Sequence, residues 1–223
     1  LLSVAVDPNA LLQNLGIDEG ITADDLIDLD PWALGTEINQ QLSDEAAGSL
    51  GLSAEALASV VEKTITLSIQ IANLVQTADR AIASTTDNGV QTVQERALMV
   101  ASSVANQIEA SAIEVEGAGG VVSLSDPAIV ETVLTETLVD TASEIATTIE
   151  AKQANGFLDE ASLDAETSAA IIELKSQSEV IVQTGLSEDY ASQIAAIAQT
   201  SAAVNEQSAG IIASAGVGVL ADT

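Results

Sequence analysis

The sequence predicts an all-α protein, an elongated up-and-down bundle of about five long helices preceded by short N-terminal capping helices. Three observations carry this. Apolar residues recur at three- and four-residue spacing over most of the 223 positions, the period of a helix with one buried face. All three prolines follow an aspartate, at Asp7-Pro8, Asp30-Pro31 and Asp126-Pro127. An aspartate at the N-cap accepts from the free N–H groups of the first turn, and proline is preorganised for the first helical position, so each pair marks a helix start. The apolar content, 47% of the chain, is almost all Ala, Val, Ile and Leu, with Trp32, Phe157 and Tyr190 the only aromatics. Small aliphatic side chains let helices approach closely, which suits helical packing better than a β-sandwich.

The elements follow in order. A short helix runs from about Asp7 to Leu15 and stops at Gly16. Thr22, with Asp25 three residues on, forms a capping box with Asp in place of the usual Glu, and a brief turn of helix follows. Asp30-Pro31 starts another, with Trp32 read as the anchor that packs these short helices onto the long ones. Ser53 opens a long helix to about Ser84, with apolar positions Leu57, Val60, Val61, Thr64, Leu67, Ile71, Leu74, Ala78 and Ile82. "STTDNG", Ser84 to Gly89, reads as a turn. The next helix spans Val90 to about Glu116 through Val93, Ala97, Val100, Val104 and Ile108, and "GAGG", Gly117 to Gly120, breaks it. "VVSLSDP" is an extended lead-in to a helix from Asp126-Pro127 to about Ala154, whose buried stripe is Val130, Val133, Leu134, Leu138, Ile145 and Ile149. "NGF" ends it. Ser162 or Asp164 caps a helix reaching Thr184, where Gly185 stops it. Ser187, with Glu188 and Asp189, opens the last helix, which carries Tyr190, Ile194, Ile197, Val204 and Ile211.

Short connections make sequential helices antiparallel neighbours. One domain is expected over 1–223: capping helices in 1–52, the long-helix bundle in 53–214, and a Gly-broken tail in 215–223. The chain begins at Leu1 without a Met or a signal-like segment and reads as part of something longer.

Net charge is −29, from 5 Lys and Arg against 34 Asp and Glu. Such a surface repels nucleic acid and anionic lipid, and it favours solubility and cation binding. No apolar run is long enough to cross a bilayer, so membrane insertion is not expected. The absence of His and Cys removes Ser-His-Asp and Cys-His nucleophilic sites, the common zinc sites and the usual haem ligands. "GAGG" lacks the spacing and preceding strand of a dinucleotide loop and reads as a helix terminator. Paired carboxylates alone could serve glycoside hydrolysis, but sugar grooves usually want more aromatics than this chain has. No enzyme is expected, and no catalytic, cofactor-binding or metal-ligating residue is assigned.

Asp18, Glu19, Asp24, Asp25, Asp28 and Asp30 offer enough oxygens for a hard cation such as calcium. Their spacing is not that of an EF-hand. On a helix Asp24, Asp25 and Asp28 suit a solvated face near the positive N-terminus. Once the capping residues are set aside, Asp18, Glu19, Asp24 and Asp28 remain as the acids open to a divalent ion.

Two resemblances follow. The succession "GITADDLIDLDPWALG", "SAEALASVVEKTITLSIQIANLVQTADRAI" and "GGVVSLSDPAIVETVLTE" resembles a helical segment of very large secreted bacterial proteins. Those proteins carry RTX-type calcium repeats and cadherin-like or immunoglobulin-like modules, and act as adhesins or surface-layer components. The resemblance covers roughly residues 10–150 and implies an extracellular or cell-surface, non-catalytic helical module; it transfers no functional residue. Separately, "IAAIAQTSAAVNEQSAGI", Ile194 to Ile211, is similar to the signalling helices of methyl-accepting chemoreceptors, with Glu206, Gln207 and Ser208 matching a Glu-Gln-Ser step. The "AAIEAARAGE" hairpin tip of that family is not in this sequence.

The expected function is therefore a structural or interaction module of a secreted or cell-surface bacterial protein: a spacer, an assembly unit or an adhesive tip. Its expected partners are other protein modules, copies of itself and divalent cations. The alternatives are a chemoreceptor-like signalling module and a calcium-dependent, self-assembling filament or surface-layer subunit.

Overall fold

The computed structural model describes residues 7–17, 20–29, 47–86, 93–115, 121–156 and 165–215. Over these the protein is all-helical, with no strand among the described residues. Two short helices, α1 (Pro8–Asn14) and α2 (Ala23–Leu29), and helical residues 47–50 precede five long helices: α3 (Ala54–Thr86), α4 (Val93–Val115), α5 (Pro127–Ala154), α6 (Ala165–Thr184) and α7 (Glu188–Ala215). At 1.5 Å per residue, α3 is about 50 Å long, which sets the length of the bundle.

The helix starts form as the sequence chemistry dictates. The Asp7 carboxylate accepts from the backbone N–H groups of Asn9 and Ala10, and Pro8 fills the first position of α1. At α2 the capping box closes in both directions: the Thr22 N–H donates to Asp25 Oδ2 at 2.8 Å, and the Asp25 N–H donates to Thr22 Oγ1 at 3.3 Å. Ser53 Oγ accepts from the Ala56 N–H at the start of α3, and Asp126 Oδ1 from the Ala128 N–H at the start of α5. Gly16 ends the α1 turn at a φ of +82°, and a Cβ there would lie 3.3 Å from Val121 Cγ1. The left-handed φ calls for glycine, and an added Cβ would also push Val121 by a few tenths of an ångström. Beside it the Val122 N–H donates to Asn14 O at 2.7 Å, tying the lead-in of α5 to the end of α1.

Helix α5 is the hub, packing on α3, α4, α6 and α7. Its six expected core residues are all buried, joined by Thr137, Thr141 and Ala142. One continuous aliphatic core runs from Leu74 and Ala78 of α3 through Val100, Val104 and Ile108 of α4 to Leu174 of α6 and Ile194 of α7. Leu12, Ile17, Ile21 and Leu26, from α1, α2 and the segments beside them, gather on Val60 in the first half of α3. The short helices thus lie along the side of the bundle.

Contacts fix the helix directions. Arg96 Nε donates to Asp79 at 2.7 Å, joining the start of α4 to the far part of α3. Gln107 Nε2 donates to Asp140 at 2.6 Å between α4 and α5, and Asn73 Nδ2 to Ser201 Oγ at 2.9 Å between α3 and α7. Lys175 Nζ lies 3.1 Å from Glu150, near the end of α5. Helices α3 and α5 accordingly run one way and α4, α6 and α7 the other. The connection at Gly185, with φ +74°, does not reverse the chain; α7 carries on in the direction of α6 along α5. Five long helices therefore occupy four positions, and this one junction departs from the alternating order the short loops predict.

In two helices some of the larger apolar residues are not among those most deeply buried. In α7, Ile197, Val204 and Ile211 are exposed at 37%, 44% and 49%. The buried positions are instead Ile194, Ala198, Ser201, Ala202, Asn205 and Ile212. A reading by side-chain size selects the first set; close approach to α3 and a buried polar cluster select the second. In α3, Ile65 and Gln70 are buried, while Thr64, Leu67 and Ile71 are only half-buried. That helix is covered on two sides, by the bundle and by the α1 and α2 helices, so its buried band is broader than a single stripe. Helix α3 runs on through Thr86, the first half of "STTDNG"; the expected helix start at Asp30-Pro31, Trp32, the second half of "STTDNG", "GAGG", Phe157, Ser162, Asp164 and the tail beyond 215 lie outside the described residues.

Candidate functional site

The acids singled out for calcium are dispersed in role. Asp24 is exposed in the first turn of α2. Asp25 is engaged by Thr22, whose hydroxyl donates to its carboxylate at 2.6 Å. That hydrogen bond, with the one from the Thr22 N–H, holds the carboxyl below the usual carboxylate range. Asp28 falls within α2, and Asp18, Glu19 and Asp30 lie outside the described residues. Among the described residues no group of three or more Asp or Glu side chains is arranged to hold a metal ion.

The most organised polar site lies where α3, α7 and the α5 lead-in meet. Asn205 has no exposed surface. Its Nδ2 donates to Leu124 O at 2.7 Å, and its Oδ1 accepts from Asn73 Nδ2 at 3.0 Å. Asn73 Nδ2 also donates to Ser201 Oγ at 2.9 Å. Gln70 Nε2 donates to Asn205 O and to Ser125 Oγ, each at 3.3 Å. A buried amide is tolerated only with its partners in place, and here each amide group bonds another element. The cluster holds no titratable group, so what it can do is fix helices relative to one another. Sequence reasoning missed it. The available signal was the appearance of Gln70 and Asn73, and of Asn205, at core spacing within otherwise aliphatic or small-residue runs.

Two hollows flank the core. A groove of about 720 Å³ between the short helices and α3 is lined by Leu11, Leu15, Ile17, Leu26, Leu67 and Ile71, with Thr64, Ser68 and Gln76 as its polar members. The Thr64 hydroxyl has no hydrogen-bond partner. No Asp, Glu, Lys or Arg is among the described residues that line this groove. A second hollow of about 60 Å³, among Ile82, Leu138, Ile145, Leu174 and Tyr190, is too small for a metabolite. Burial there pushes the Tyr190 phenol above its ordinary range, keeping it neutral at physiological pH.

The charged contacts are structural. Arg96 is buried and paired with Asp79, and Lys175 bridges Glu150 and Glu179 from α6. The hydrogen bond from Lys175 to Glu150 raises the lysine above its ordinary value. No described helix is long and apolar enough to cross a membrane. Comparison with protein-family models, with curated proteins and with solved structures finds no match.

Proposed function

We propose that this chain is a non-catalytic structural and interaction module of a secreted or cell-surface bacterial protein, built as a helical bundle. One observation carries the reading. The most organised polar site among the described residues, where Asn205 meets Asn73, Gln70 and Leu124, holds no titratable group and ties α7 to α3 and to the lead-in of α5. The acidic surface fits a calcium-rich exterior, where divalent ions offset repulsion between modules.

The test is the reading frame around this segment. A secretion signal with calcium-repeat or β-sandwich modules beside the bundle supports the reading; a cytoplasmic frame without either overturns it. A signalling module is the second reading, favoured by the exposure of Glu206 and Gln207 on α7. Membrane-spanning segments adjacent in the same frame would select it.

A further inference from the structure

Helix α7 turns its poorer apolar face inward. Between Ile194 and Ile212 the buried positions are Ala198, Ser201, Ala202 and Asn205, while Ile197 and Val204 are 37% and 44% exposed. At 3.6 residues per turn, rotating α7 by roughly 90° would bury the aliphatic pair instead. Rotation would strip Asn205 from Leu124 O and Asn73. The polar cluster thus holds the aliphatic stripe at the surface against the hydrophobic gain of burying it.

The second observation is charge. From Tyr190 to Ala215 the only ionisable groups are Tyr190 and Glu206, in a chain of net charge −29. Helical phase places Glu206 on the side of α7 away from Ile197 and Val204. A basic partner would choose the acidic faces. Another strongly acidic molecule can approach closely only along a strip that carries no acid.

We propose that this strip of α7 is a self-association surface whose occupant is α7 of a second copy, a proposal that rests on the interaction-module reading and names its partner. The spacing from Ile197 to Val204 to Ile211 is symmetric, seven residues either way. An antiparallel two-fold pairing therefore sets Val204 against Val204 and Ile197 of one copy beside Ile211 of the other, as an isologous contact requires. The remaining acids repel across the contact, so association strengthens with salt.

Sedimentation equilibrium of the chain at low salt and at about 1 M NaCl tests this. The expected result is a dimer that tightens with salt. Val204→Glu and Ile197→Glu, which place like charges across the contact, should each weaken it by at least about tenfold, with far-UV helicity unchanged because both positions are exposed. Val180→Glu, at an exposed valine of α6 outside the strip, should leave it intact. A wild-type chain that stays monomeric at every salt concentration overturns the proposal, as does an association unmoved by Val204→Glu or equally lost with Val180→Glu. The reading frame tests the parent reading without reference to association, so a monomeric chain within a secreted, modular frame removes this inference and leaves that reading standing.

Discussion

Asn205 bonds Leu124 and Asn73 with its side chain and Gln70 with its carbonyl, so deleting its amide takes the donor from the Leu124 carbonyl and leaves Asn73 only its bonds to Ser201. Asn205→Ala should cost about 1–3 kcal/mol, the penalty for unsatisfied buried polar groups. Asn73→Ala should cost less, because Asn73 is only half-buried. Urea titration of the three proteins reads the difference; equal stability of Asn205→Ala and wild type would show that the cluster does not hold α7. Tyr190 offers a second test, being the chain's only tyrosine. Its folded pKa is raised by burial. The stability it contributes is therefore fully present below the ordinary tyrosine range and is lost as pH rises through the raised value. Absorbance titration near 295 nm should place its ionisation above that of a free tyrosine, and Tyr190→Phe should blunt the alkaline loss of stability.

Among the elements, α5 has the most to lose. Leu134→Ala, at a site 1% exposed in the hub helix, should cost about 2–5 kcal/mol. Asp126→Ala removes the N-cap of the same helix and should cost about 1 kcal/mol. Thermal melts rank the two, and a larger loss from the cap than from the core would contradict the hub role of α5. These were the elements best read from sequence. Asp-Pro at 126–127 and the stripe from Val130 to Ile149 are local signals, and local physics decided them. The phase of α7 was not legible, because Ile197 and Val204 outrank Ala198 and Ser201 in hydrophobicity; the choice is made by contacts with Gln70 and Asn73, more than 120 positions earlier in the chain. The shared direction of α6 and α7 was hidden for a similar reason. Gly185 and Ser187 mark a stop and a start in sequence but do not say whether the chain turns back. Of the candidate site, the cap role of Asp25 was legible as a three-residue spacing, whereas the polar cluster and the groove exist only through packing.

At the scale of the whole molecule, an aliphatic core is opposed by the mutual repulsion of 34 acids against 5 bases. The association proposed above should answer to ionic strength before it answers to any particular ion. Screening acts over about 10 Å at 0.1 M salt, comparable to the spacing of charges on neighbouring helices. For a chain of this size each kcal/mol moves the midpoint by roughly 2–4 °C, so the relief of repulsion should be visible as a shift of several degrees. The most direct test is the thermal midpoint along a NaCl series, repeated with CaCl₂ at matched ionic strength. The account predicts a midpoint that climbs steadily with NaCl and somewhat more steeply with calcium, without saturating at low concentration. A midpoint indifferent to salt, or one that jumps and saturates at micromolar calcium, would contradict it.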